Sequence, residues 1–199
     1  MKNILLFTLG IAFSFSAFNS CKSETIEDVE QLTLKDDFKT ITRNSALENY
    51  EIKVPKYMEP TEILNPDAKL QFLHLYNEEY IIVINESKQD FKQMIAQFNE
   101  FDNKNDILSK YSNFQMQFLT QKMNILNSSK TKQTKINTLN AKNIELLAKV
   151  NNVDENISYF ITFIEGKENL YFVMAWTIES KEAVFRAKYK KIIGSFYIN

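Results

Sequence analysis

A second cysteine is missing from this chain: Cys21 stands alone, so no disulfide can close within it. Histidine is equally scarce, and His74 with Cys21 cannot assemble a His/Cys zinc site from this chain alone. Three glycines occur, at positions 10, 166 and 194, too far apart for a loop that cradles phosphate. Walker-type and Rossmann-type nucleotide sites are thereby excluded. There is no Gly-x-Ser-x-Gly elbow, and a serine–histidine pair would depend entirely on His74. Charge imbalance is lacking too: 24 Lys and Arg against 25 Asp and Glu leave a net charge of -1, which argues against general nucleic-acid binding. Beyond residue 20 no stretch approaches the ~18 uninterrupted apolar residues of a membrane-spanning helix. No internal repeat and no Pro- or Gly-rich linker interrupts residues 38–199.

The N-terminus has what the rest lacks. Lys2 supplies positive charge, and residues 4–18 are apolar apart from Thr8, Gly10, Ser14 and Ser16. Asn19 and Ser20 then lead into Cys21. A charged start, an apolar core of about 7–15 residues and a small-residue end make a secretory signal peptide, too short for a typical transmembrane helix. With cysteine at its end, the segment resembles a bacterial lipoprotein precursor of the Bacteroidetes type. Ser20 fits that pattern, whereas Phe18 and Asn19 depart from the usual Leu and Ala or Ser. The resemblance implies cleavage before Cys21, a diacylglycerol on its thiol and acylation of the new N-terminus. Two or three acyl chains anchor stably, at about 0.8 kcal/mol per buried CH2. The expected divisions are a signal peptide at 1–20, a lipidated cysteine with an acidic tether at 21–37, and one domain at 38–199. Residues 22–37 lack aromatics and carry scattered acids, as a solvated tether does. Attachment to the outer membrane, on its periplasmic face or at the cell surface, is the expected address.

Within the domain, periodicity predicts the elements. Tyr50, Ile52 and Val54 alternate with charged residues in a short strand that stops at Pro55. Residues 68–76 and 80–85 read as paired strands with a turn at Asn77-Glu78-Glu79. Asp90 is the expected N-cap of a helix with Phe91, Met94, Ile95 and Phe98 on one face, and Asp106 opens a second helix. Residues 157–177 form a hairpin turning at 165–169, apolar on both faces and so expected at the centre of a sheet covered on both sides. Ser180 is the expected cap of a terminal helix buried through Phe185, Tyr189, Ile192, Ile193 and Phe196. The predicted class is α+β, an antiparallel sheet flanked by helices on both faces. The "YEIKVP" strand, the paired strands around "AKLQFLHLYNEEYIIVI", the "DF" helix start, the late hairpin and the ending "KYKKIIGSF" resemble the PsbP-like α/β/α sandwich. That resemblance implies interaction or assembly roles and no shared catalytic chemistry.

Few residues offer chemistry. His74 could serve as a base or ligand contact, with Tyr76 beside it, although a hydrogen-bonded sheet histidine explains it too. Glu78 and Glu79 could pair as acid and base, but adjacent acids in a hairpin turn are usually solvated. Asp154, Glu155 and Asn156 lack the spacing of a calcium loop. Between Asp106 and Glu145 there is no acidic residue, while Lys110, Lys122, Lys130, Lys132, Lys135 and Lys142 are present. Lys122, Lys130, Lys132, Lys135 and Lys142 make a candidate patch for a protein partner or an anionic envelope component, or simply a solvated face. The sequence thus points to a lipid-anchored, non-enzymatic envelope protein of interaction or assembly type, with no cofactor, metal or nucleic acid. The alternative is an envelope enzyme or small-ligand binder with a pocket near His74 and Tyr76.

Overall fold

A computed structural model describes residues 37–45, 47–97 and 106–199. The signal segment, Cys21, nearly all of the tether and Phe98 lie outside the described residues. The main sheet is antiparallel, with strands in the order β3 (Glu59–Pro60), β4 (Leu70–His74), β5 (Glu79–Ser87), β10 (Asn169–Ile178), β9 (Ile157–Glu165), β8 (Leu139–Lys149) and β6 (Asn124–Ser128). Strand β7 (Lys132–Ile136) pairs with the first half of β8, and β6 with the second half. The polar stretch around residues 127–143 is therefore the edge of this sheet.

The hairpin apolar on both faces, β9–β10, takes the central position its composition demands. On one face Tyr159, Ile161, Phe163, Leu170, Phe172, Met174 and Trp176 pack under α1 (Lys88–Ile95) and α2 (Ile107–Lys122). On the other, Phe160, Ile164, Tyr171, Val173 and Ala175 meet α3 (Glu182–Gly194). Burial of each large apolar side chain contributes about 1.5–3 kcal/mol. Tyr80 stacks on Trp176 with ring centroids 5.2 Å apart, a pair held in register by neighbouring strands.

The short strand at Tyr50 does not join the main sheet. As β2 (Tyr50–Pro55) it lies between β1 (Phe38–Arg43) and β11 (Tyr197–Ile198) in a separate three-stranded sheet. Its buried face, Tyr50, Ile52 and Val54, shares the α3 core.

Two helix caps differ from expectation. Ser87, not Asp90, caps α1: its Oγ accepts the Asp90 N–H at 3.3 Å, which leaves Asp90 in the first turn, where a carboxylate suits the helix dipole. Ser180 does not cap the terminal helix. It lies in a single 3-10 turn, Glu179–Lys181, and its hydroxyl donates to Glu155 at 2.6 Å. Asp106 does cap α2, accepting the Ser109 N–H at 2.8 Å.

Candidate functional site

Strand β5 carries a carboxylate near each end, and alternation sends them to opposite faces. Glu79 shares its side with Ile81 and Val83 of the α3 core, and Glu86 shares its side with Ile82 and Ile84 of the α1–α2 core.

Glu79 is not solvated. It is 0% exposed and fully partnered. Tyr57 Oη donates to it at 2.7 Å, Asn77 Nδ2 donates at 3.1 Å, and Lys188 Nζ of α3 lies 3.4 Å away. Lys188 also donates to Tyr57 Oη at 2.6 Å, closing a buried network. His74 joins its margin, with its ring edge against Tyr57 at 5.0 Å and its Nδ1 accepting the Asn77 N–H at 3.3 Å. Glu78 takes a left-handed φ of 53° in the turn and accepts the Tyr80 hydroxyl at 2.5 Å. Together these bonds hold the turn residues Leu75 and Tyr76 out in solvent, 64% and 74% exposed. Lys181 Nζ donates to the Tyr76 carbonyl at 3.2 Å and fixes the tip from the α3 side. Thus the structure brings His74 into a hydrogen-bonded turn and leaves Tyr76 as an exposed tip.

Glu86 is the opposite case. Its carboxyl has no hydrogen bond or ion pair among the described residues. Burial, reinforced by the charges of Asp90 and Asp67, pushes its pKa up to about 7. It borders a cavity of about 170 Å³ with apolar walls from Ile84, Met94, Phe114 and Phe118. Asp67, Lys69, Asn85 and Gln115 complete the lining. Asp67 is placed by the loop before β4: buried Gln71 accepts the Leu64 and Asn65 N–H groups, and Asn65 Oδ1 accepts the Asp67 N–H at 2.8 Å. Asp67 Oδ2 is nonetheless buried without a partner among the described residues. Burial and the Glu86 charge also hold the nearby Tyr111 phenol well above its usual range. An ionisable group so perturbed beside a cavity marks a candidate site on physical grounds.

Two further clefts are more open. One of about 580 Å³ lies along Arg43, Thr61, Glu62 and Gln71, and one of about 310 Å³ along Ser45, Glu48, Lys167 and Asn199. Neither these nor the Glu86 cavity is lined by His74 or Tyr76. Among the described residues no group of three His, Cys, Asp or Glu side chains could hold a metal, and no helix is long and apolar enough to cross a membrane.

The candidate lysines spread out. Lys122 ends α2, Lys130 lies between β6 and β7, and Lys132 and Lys135 lie on β7, all exposed. Strand alternation puts Lys135 on the α2 side, the same side as Lys142 of β8, and Lys132 on the α3 side. Lys142 is half-buried and donates to Ser109 Oγ at 2.6 Å, which in turn donates to Asp106.

No protein-family model matches the chain, and no curated protein does. Solved structures do. A cyanobacterial PsbP (CyanoP) from Synechocystis superposes with a TM-score of 0.51 at 11% identity, over 91% of this chain and 98% of that one. The fold is PsbP-like. LpqN of Mycobacterium tuberculosis, described as involved in cell envelope biogenesis, aligns with a TM-score of 0.51 at 10% identity over 88% and 98%. The Ran-binding protein Mog1p of Saccharomyces cerevisiae aligns at 0.48 and 12% identity, over 82% and 96%. At such identities the likeness concerns the chain path alone.

Proposed function

We propose that this protein is a non-enzymatic envelope protein, held at the outer membrane by lipid on Cys21, that presents the Leu75–Tyr76 tip to a partner near the membrane surface. One observation carries the reading: Asp37, close after the tether in sequence, is bonded to the segment that packs beneath that tip. Asp37 accepts the Lys56 N–H at 2.8 Å and pairs with its ammonium at 2.7 Å. The next residue, Tyr57, packs on His74, one residue from Leu75. A chain tethered at Cys21 therefore enters beside an exposed apolar pair that a buried ionic network holds rigid. An exposed Leu–Tyr pair on a fixed turn is a compact recognition element, since tyrosine supplies contact area at low entropic cost.

The signal-like leader supports the envelope address, and LpqN supplies a precedent for this fold in envelope biogenesis. Exposed Lys122, Lys130, Lys132 and Lys135 add a secondary contact for anionic envelope components. Labelled palmitate tests the anchor: incorporation is expected in the full chain and lost in Cys21→Ala, which should also leave the membrane fraction. Label retained in that variant would refute the reading.

A further inference from the structure

The Glu86 cavity has a different character from the Leu75–Tyr76 tip and stands apart from any question of anchoring. Its walls combine an apolar body and an acidic end. Ile84, Met94, Phe114 and Phe118 contribute aliphatic and aromatic surface. Its 170 Å³ are of the order of the ~150 Å³ apolar cavity that accepts a benzene ring, so a ring or a short alkyl chain fits.

Among the described residues, the acidic end is not compensated by a paired cation. Glu86 faces the cavity from β5 and Asp67 from the loop before β4, and Asp90 of α1 adds its charge to that of Asp67 on Glu86. Opposing them, Lys69 is exposed at the rim, and the neighbouring Lys88 ammonium is taken by Glu165 at 2.8 Å. The polar groups of α2 beside Glu86, Gln115 in the lining and the nearby Tyr111, carry no positive charge. A buried carboxyl costs free energy unless something donates to it, and Asp67 Oδ2 has no donor among the described residues. A positive group placed between Glu86 and Asp67 would supply the missing donors as charge-assisted hydrogen bonds. The Phe114 and Phe118 rings in the lining would favour a cation placed over a ring face.

We propose that this cavity binds a small organic cation, a primary ammonium carried on a ring or short alkyl chain, with Glu86 and Asp67 as its counter-ions and the four apolar side chains around its body. Neutral isosteres would gain the apolar contacts but leave the carboxyls unsatisfied. Anionic analogues would add a like charge to Asp67 and Asp90.

Binding requires the ionised form of Glu86. Because that group is largely protonated below pH 6, the competent fraction of the protein falls there and apparent affinity falls with it.

The test is calorimetric titration of the full chain with benzylamine, benzyl alcohol and benzoate at pH 5.5 and pH 8, with NMR of the Ile84 and Met94 methyl groups to locate the ligand. Benzylamine should bind about tenfold or more tightly at pH 8 than at pH 5.5, shift both methyls, and exceed benzyl alcohol by a similar factor at pH 8. Glu86→Gln should abolish the pH dependence and most of the benzylamine affinity while keeping the native circular dichroism spectrum. Should that variant not fold, the neutral and anionic isosteres on the parent chain still decide the matter. Equal binding of benzylamine and benzyl alcohol, an affinity unchanged in Glu86→Gln, methyl shifts elsewhere, or no binding would each overturn the proposal.

Discussion

Glu79 and Glu86 lie seven residues apart on one strand, face opposite cores, and meet burial in opposite ways. At the Glu79 end, a phenol, an amide and an ammonium converge on a carboxylate that no water reaches. At the Glu86 end the carboxyl has a cavity for company, and its charge is opposed by burial and by Asp90 and Asp67. The first arrangement spends every donor on holding a turn in place and leaves nothing for a ligand. The second leaves an acceptor unfilled and space beside it. Burial alone therefore does not mark a site; what separates structure from site is whether the buried charge is already satisfied.

The largest effect should come from unbalancing the satisfied end. Lys188→Ala removes the ammonium and strands Glu79, which should lower the unfolding free energy by about 3–5 kcal/mol in urea titrations. Replacing both partners, as Glu79→Leu with Lys188→Met, should cost clearly less, because no uncompensated charge remains. If the double variant proved as damaged as the single one, the network would matter through packing rather than charge.

Glu86 should respond with the opposite sign. Its folded pKa lies near 7, above the usual 4.5, so the protonated form is the one folding favours. Its favourable contribution is whole below pH 4.5 and is lost as the pH rises to about 7 and beyond. Glu86→Gln should thus leave stability unchanged at pH 4.5 and raise it by about 2 kcal/mol at pH 8. Thermal melts across that range would read the crossover directly, and a variant less stable at pH 8 would mean that Glu86 is held by an unseen donor.

Neither carboxylate's fate was legible from the chain, although much of the surrounding fold was. The β9–β10 hairpin declared itself because Phe160 and Phe163 are apolar on alternate faces, and α3 because Phe185, Tyr189 and Ile192 recur at helical spacing. Glu79 looked like an exposed turn acid since its neighbours in sequence are polar. Two of its three partners come from 22 residues upstream and 109 downstream, a distance no local pattern spans. Asp67 and Gln115 likewise reach the Glu86 cavity from separate elements. Strand β1 escaped notice because its outward positions, Thr40 and Thr42, are flanked by half-buried rather than core residues. The start of α1 was misplaced by three residues: Ser87 rather than Asp90 is the cap, and Asp90 lies in the first turn.

A third buried carboxylate sharpens the contrast. Glu48 accepts the Lys167 N–H at 2.7 Å, the Asn169 N–H at 3.3 Å and the Tyr171 hydroxyl at 3.0 Å, tying the β9–β10 turn to the loop before β2. It is satisfied like Glu79 but by neutral donors, with no ammonium to strand. Glu48→Gln should therefore cost only about 1–2 kcal/mol, read by urea titration. The turn also explains Gly166: a Cβ there would fall 2.2 Å from Glu48 Oε2 and 2.9 Å from Tyr171 and Ile198.

The edge lysines give the smallest effect and the far end of the scale. Lys132 and Lys135 are exposed and point to opposite faces of β7, so water rather than protein solvates both ammonium groups. Lys132→Gln and Lys135→Gln should each change stability by less than about 0.5 kcal/mol. Lys142, on the paired strand, donates to Ser109 and thereby supports the capped start of α2, so Lys142→Gln should cost more, about 1 kcal/mol. That ordering within a single lysine-rich stretch applies the same rule that separates Glu79 from Glu86. Charge count along the chain predicts little, and the partner each charge finds predicts the sign and size of its effect. A Lys132 or Lys135 substitution as costly as Lys142→Gln would show that the sheet edge carries a contact beyond solvent.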